Sequence, residues 1–319
     1  PAARVFDSGY GGDLDLAILA GALYREAGFM VEPAFAGRGH GPVDEGLPTL
    51  ARLGAPGLWI TRRIPGEALE AYWDPATGRL VHEGMGLAGR ALWRAGTEDA
   101  PAVREMASGV GSWSATHLDL RWNAQKSAWC GSAWFEARGG ANPYDRIASG
   151  GTAQKALTGA LGEVVPGLQV TSFDPLWTGP DRFAARAQVT RGEVKRDTQG
   201  RVALVLGASA GGVGGSLPHD VVLHEEQRST PVRGISGEHR VRVRLDLGGL
   251  EAVRIPEPFS VENEAGMYRL EVQRSPGEVV CTVTTRVDSE EIPAAAWPAL
   301  RALLLAERDT ARRTVLLRP

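Results

Sequence analysis

From residue 113 to 289 the chain keeps breaking into short runs in which apolar and polar side chains alternate, with glycine or proline between runs. Period-two alternation marks strands with one buried face, because successive side chains leave a strand on opposite sides. "WSATHLDLRWN" (113–123) puts Leu118, Leu120 and Trp122 on one side, and "AWCGSAWFEARG" (128–139) pairs with it across "AQKS". "LQVTSFD", "RFAARAQVTRGEV", "RVALVLGA", "HDVVLHEEQRS", "EHRVRVRLDL", "YRLEVQRS" and "EVVCTVTTRVDS" follow as further strands. The 41 glycines and 20 prolines supply the turns that so many strands need. This density predicts one or two antiparallel sandwiches. A helical insert is expected over 151–161, an amphipathic helix on Ile292, Trp297, Leu300 and Leu304, and a last strand in "RTVLLR". Trp113, Trp122, Trp129 and Trp134 fall on the paired strands and are assigned to core packing. Arg240, Arg242 and Arg244 alternate along one strand as a solvated face.

The first third is mixed. Asp13 or Asp15 supports a helix start, where carboxylates favour the unpaired N–H groups and the dipole. Leu14, Ile18, Ala22 and Leu16, Leu19, Leu23 make a broad apolar face at helical spacing, and Gly28 fits a left-handed stop. "FMVEPAF" (29–35) and "GLWIT" (57–61) read as strands. "EAYWDPATGRLVHEG" (70–84) reads as a hairpin whose Asp-Pro and Gly make the reversal. The pattern weakens over 95–110, which places a domain boundary near residue 100, with a further division near 210 left open. "GASAGGVGGS" (207–216) lacks the Lys-Ser/Thr of a phosphate loop and is taken as a flexible loop.

Several function classes fall away. A net charge of −3, with lysine and arginine scattered among acids, offers no surface for a nucleic acid. No run reaches the roughly 20 apolar residues of a membrane span. Cys130 and Cys281 share no metal-type spacing, and their redox state stays open. His40, His82, His117 and His239 are scattered; His219 and His224 are close, but four intervening residues on an extended segment send their rings to opposite faces. No metal and no cofactor is expected. The chain opens on "PAARVFDSGYGG" without methionine, so an upstream segment, a signal peptide or a further domain, is expected to have been removed.

The opening helix, the strands after it and Tyr72-Trp73-Asp74-Pro75 resemble bacterial transglutaminase-like proteins. In that family a Gly, an aromatic or polar residue and a catalytic Cys precede an acid and a helix ending in Leu-Arg-x-Ala-Gly. Here these positions read Gly9-Tyr10-Gly11-Gly12-Asp13 and Leu23-Tyr24-Arg25-Glu26-Ala27-Gly28. "GGANPYDRI" and the tail "EVVCTVTTRVDSEEIPAAAWPALRALLLAERD" follow the family's order of elements, so the resemblance covers most of the chain. It implies an α+β fold: a small, degenerate transglutaminase-like domain over 1–100, truncated at its N-terminus, then a mainly antiparallel, sandwich-like β-rich region over 101–319 with one or two helices.

The family's chemistry needs a thiolate at the helix N-terminus, a histidine to take its proton and an acid to orient the histidine. The Cys position falls on Gly11 or Gly12, the stretch "ARLGAPGLWIT" that should carry the histidine has none, and only Asp74 remains. Gly11, Gly12 and Asp74 are therefore relic positions, and Asp74 has an ordinary turn role before Pro75. Ser8, His82 and Cys130 do not assemble a replacement triad by this alignment. No catalytic, metal or ligand-binding residue is assigned. The expected function is a non-catalytic scaffold or assembly subunit that binds another protein or a membrane-associated complex. It would lie in the periplasm or at the cell surface by resemblance, peripheral to a membrane at most. The alternative is a carbohydrate- or peptide-binding module that uses the remnant cleft or a Trp-lined sheet. An active hydrolase built on Ser8 or His82 is the third reading.

Overall fold

The computed structural model describes residues 11–37, 53–64, 67–75, 79–82, 91–94, 102–105, 112–144, 147, 151–179, 182–192, 196–207, 223–233, 236–289 and 291–318. Helix α1 (Asp13–Glu26) starts at Gly12, whose N–H is accepted by the Asp15 carboxylate at 3.1 Å. It stops at Gly28, whose φ of +84° only glycine adopts without strain. Strand β1 (Met30–Gly37) runs back from this turn and pairs antiparallel with β2 (Leu53–Ile64). With β3 (Glu67–Asp74), β4 (Arg79–His82), β5 (Ala91–Arg94) and β6 (Ala102–Glu105) they form a six-stranded antiparallel sheet in the order β4-β3-β2-β1-β5-β6.

The face that α1 buries is narrower than the sequence predicts. Ala17 and Gly21 press on Val31, Leu58, Ile60 and Trp73, with Leu16, Ala20 and Tyr24 at the margin. Small residues let the helix lie close to the sheet, so larger side chains flank the contact instead of filling it. Leu14, Ile18 and Leu23 point outward, 59%, 46% and 56% exposed. This unit ends at Val110, later than the expected boundary near 100, because β6 is hydrogen-bonded into its sheet.

The second unit (Gly111–Pro319) is built on one eight-stranded sheet. Its strands are β7 (Ser112–Asn123), β8 (Ala128–Arg138), β9 (Leu168–Thr178), β10 (Arg182–Arg191), β13 (Gly237–Asp246), β15 (Phe259–Asn263), β16 (Gly266–Ser275) and β17 (Glu278–Val287), in the order β15-β16-β17-β13-β7-β8-β10-β9. Shorter strands β11 (Val202–Val205), β14 (Glu251–Arg254) and β19 (Thr314–Arg318) make a three-stranded sheet, and β12 (Val232–Arg233) pairs with β18 (Glu291–Ile292). Helices α2 (Ala153–Val164) and α3 (Trp297–Arg308) share one core with the eight-stranded and three-stranded sheets. The fold is α+β, with a β-rich region that carries few helices.

The elements form where the sequence puts them for identifiable reasons. Asn123 turns the chain between β7 and β8 by accepting the Lys126 N–H at 3.0 Å, and Asn123 then pairs with Ala128. Thr152 caps α2 through the Lys155 N–H, and Leu157, Leu161 and Val164 recur at helical spacing to face the core. Each such buried side chain is worth roughly 1.5–3 kcal/mol. Two segments differ from expectation. Ile292 belongs to β18, and α3 begins only at Trp297. "HDVVLHEEQRS" gives no strand among its described residues: the Leu223 and Glu225 carbonyls accept from Arg301 and Trp297 of α3, not from a neighbouring strand.

One pairing in the large sheet is parallel, that of β7 with β13. At its start the buried His239 Nδ1 and Ser114 Oγ are 2.8 Å apart. Burial pushes the His239 pKa down to about 4. The unfolded chain therefore binds a proton near pH 6.5 that the folded chain refuses until about pH 4. The stability this neutral histidine supports is complete above pH 6.5 and is lost as pH falls towards 4, by roughly 3 kcal/mol. We expect the stability difference between the native protein and a His239→Gln variant to shrink by that amount between pH 7 and pH 4 in urea titrations. A pH-independent difference would show that His239 is accessible to protons in the folded state.

Candidate functional site

The positions that the resemblance singles out, Gly11, Gly12 and Asp74, lie in the first unit. Gly12 is the N-cap of α1, with an ordinary φ of −75°. A Cβ there would meet nothing closer than the Asp15 carboxylate at 3.8 Å, so neither backbone nor packing demands glycine. Gly11 precedes it and is exposed. Asp74 ends β3, one residue past Trp73, which pairs with Leu58. Strand alternation assigns Asp74 to the face of Tyr72 and Trp59, while Trp73 and Leu58 face α1. The structure thus puts the start of α1 and Asp74 in one unit but not on one face of its sheet.

The position beside Asp74 on β2 is Gly57, and here glycine is required. A Cβ would stand 2.3 Å from the Tyr72 hydroxyl oxygen and 2.5 Å from the Trp73 carbonyl oxygen. A histidine cannot occupy this point of β2 while Tyr72 and β3 hold their places. Ser8 lies outside the described residues, as do His40 and His219, and His82 pairs with Ala71 on β4. His224 sits exposed in a turn, and among the described residues no group of three or more His, Cys, Asp or Glu could hold a metal. Among those residues no helix is long and apolar enough to cross a membrane.

The cysteines are unbonded. Cys281 is buried on the core side of β17, where burial pushes its thiol up to about 12. Cys130 lies on β8 with its sulfur 3.7 Å from the Thr190 hydroxyl. His239 has Ser114 on one ring nitrogen and Ser112, at 3.5 Å, near the other. Ser114 and His239 are both closed off in the core, so the pair is a packing element. A cleft of about 550 Å³ lies between Arg254, Phe259 and Arg312. Its charges turn onto each other: Asp309 accepts from Arg312 Nε at 2.9 Å, and Arg312 stacks on Phe259.

The arrangement with most chemistry to offer is the outer face of the eight-stranded sheet. The four tryptophans assigned to the core divide by parity. Trp122 and Trp129 pack inside, 5.5 Å apart, whereas Trp113 and Trp134 point outward. The registers set three rows across β13, β7, β8 and β10. The first row reads Glu238, Trp113, Arg138, Arg182. The middle row is Arg240, Ala115, Glu136, Ala184, and it continues to Trp177 on β9. The third row is Arg242, His117, Trp134, Arg186. The middle row is closed over by its taller neighbours: Ala115, Glu136 and Ala184 are buried. Glu136 holds Arg138 and Arg182, each at 2.9 Å; Arg138 lies 5.3 Å above the Trp113 ring; His117 packs against Trp134 at 5.0 Å with its ring tilted by 56°. Burial, then Arg242 and Arg240, lower the His117 pKa and favour its neutral ring. The spacing from Trp113 to Leu118 and from Trp129 to Trp134 is odd, and that parity is the signal by which sequence alone separates the two pairs.

No protein-family model matches the chain, and no curated protein matches it. Among solved structures, a "putative protease" from Parabacteroides distasonis aligns with a TM-score of 0.54 at 12% identity, over 99% of this chain and 45% of that one. Identity that low carries the fold alone, and this chain spans less than half of that protein's length.

The two glycines separate by experiment. Gly57→Ala should cost about 1–3 kcal/mol, the usual penalty for forcing extra volume into a packed site. Gly12→Ser should be neutral or stabilise by a few tenths of a kcal/mol, as serine is a good N-cap. Urea unfolding followed by tryptophan fluorescence reads both; equal effects would show that Gly57 is not in close contact with Tyr72.

Proposed function

We propose that the chain is a non-catalytic binding subunit: a transglutaminase-like fold without its nucleophile and histidine, joined to a β-rich unit and holding a protein partner. The observation that carries the reading is found in α1, which begins on a residue without a side chain and presents Leu14, Ile18 and Leu23 to solvent. A helix that supplied a nucleophile would have a thiol or hydroxyl at its cap; this one has exposed apolar side chains along its length, Leu14 and Ile18 one turn apart on one flank of the buried face and Leu23 on the other. Removing a nucleophile leaves only ordinary binding effects, so the remaining helix supports no acyl transfer. Export to the periplasm or cell surface, peripheral to a membrane-associated complex, belongs to the same reading through the resemblance.

Cysteine-directed acyl probes should not label α1, and the protein should leave its native host with a stoichiometric partner. Replacing Leu14 and Ile18 together by Asp should release that partner, with a loss of about 30-fold or more in affinity if these are central contacts. Recovery as a free monomer with unchanged behaviour of the double variant would sink the proposal.

A second reading, a carbohydrate- or peptide-binding module, is favoured by the outer sheet face. Aromatic rings and guanidinium groups stand there together, Arg138 over Trp113 and His117 against Trp134.

A further inference from the structure

We infer that the start of the parallel ladder is a latch opened by mild acid: a proton on His239 parts β7 from β13 at their first rungs, while the antiparallel ladders on either side stay closed. Within the large sheet this ladder joins the two antiparallel halves, and both strands begin at the same end of it. Ser112 stands opposite Gly237, Trp113 opposite Glu238 and Ser114 opposite His239. The first rung is a close approach, since a Cβ on Gly237 would overlap the Ser112 carbonyl. An opening that starts here frees these rungs and leaves those from Arg240 to Asp246 in place. The second unit begins at this point of the chain, at Gly111.

His239 occupies its rung with no group nearby that could hold a positive charge. It is 1% exposed. On the inner face it lies between Ser114 of β7 and Thr285 of β17, and Tyr268 of β16 is next in the row; all are buried. Ser114 Oγ is 2.8 Å from one ring nitrogen and Ser112 Oγ 3.5 Å from the other. The polar groups around the ring are therefore hydroxyls. The charged side chains at this end, Glu238, Arg240, Arg286, Glu136 and Arg138, leave their strands on the outer face. From beyond the sheet, Arg313 and Glu307 act on Tyr268, whereas burial alone acts on His239 and lowers its pKa to about 4. An imidazolium here has no carboxylate to answer it. A buried cation without a counter-charge is driven towards water, and the rungs that enclose this one must part to admit water.

In the open form His239 takes a proton near pH 6.5, as an exposed histidine does; in the closed form it does so only near pH 4. The open population therefore grows as pH falls between those values, by roughly 20-fold from pH 7 to pH 5. Amide hydrogen exchange of the full chain at pH 7 and pH 5, corrected for the intrinsic rate at each pH and read by mass spectrometry, tests this. We expect protection to fall by about 20-fold in peptides covering 112–115 and 237–240, and to hold in those from β10 and β16. In a His239→Gln variant the fall should vanish. An equal fall throughout the second unit would show the sheet unfolding as a whole and overturn the inference. So would no fall at all, or the same local fall in the variant. Should the variant not fold, titration of the native histidine rings by nuclear magnetic resonance takes its place. A His239 midpoint near pH 4 alongside the local loss of protection upholds the latch, and a midpoint near pH 6.5 overturns it.

Discussion

The second unit depends on the parallel ladder between β7 and β13. On one side of it lie β8, β10 and β9, packed with α2; on the other lie β17, β16 and β15, packed with α3. Each half is antiparallel and joins strands that are close neighbours, but the ladder between them closes residues 125 apart. Loop closure over such a span costs entropy that only the completed core repays. The polar contacts at its two ends fix the register. His239 meets Ser114 inside at one end, and Arg121 meets Asp246 outside at the other, 3.3 Å apart. The exposed ion pair contributes little. The buried contact matters more, because a slip by one residue would turn one strand's buried face outward and part the imidazole from the hydroxyl.

The rest of the unit closes over that ladder with a second buried polar device. Arg313, almost wholly enclosed, donates to the carbonyls of Leu206 and Glu307, and its own carbonyl accepts the Leu206 N–H at 3.1 Å. One side chain thereby ties the exit of β11 to the end of α3 and the entry of β19. A guanidinium is suited to this because its fork reaches two carbonyls at once and stays charged at any pH. The price is a single allowed geometry for three segments, which keeps the three-stranded sheet in place over the core.

The β7–β8 hairpin was legible to within a residue, since the alternation on both sides of its turn agrees. The helix expected over 151–161 is α2, shifted by two or three residues at each end because Thr152 caps it and Val164 still faces the core. The arginine alternation on β13 also reads correctly, with Arg240 and Arg244 exposed. What failed was whatever depends on a distant segment. Alternation in "EHRVRVRLDL" is the same whether its neighbour runs parallel or antiparallel. The carbonyls of Leu223 and Glu225 look free for a strand until Trp297 and Arg301 arrive from α3. On α1 the pattern is amphipathic by size as well as polarity, and hydrophobicity alone chose the larger side chains when close approach to β2 required the small ones. For the outer rows the parity was present, but tryptophan's usual preference for the core outweighed it.

Gly12 and Gly57 differ in what their surroundings allow. A side chain at Gly12 would meet nothing closer than the Asp15 carboxylate at 3.8 Å, so the start of α1 accepts other residues at little cost to the fold. Gly57 does not, because the Tyr72 hydroxyl and the Trp73 carbonyl occupy the space a Cβ would need. Any larger residue there requires Tyr72 and β3 to move, so the close pairing of β2 with β3, and not the conformation of the glycine itself, fixes the residue at this position.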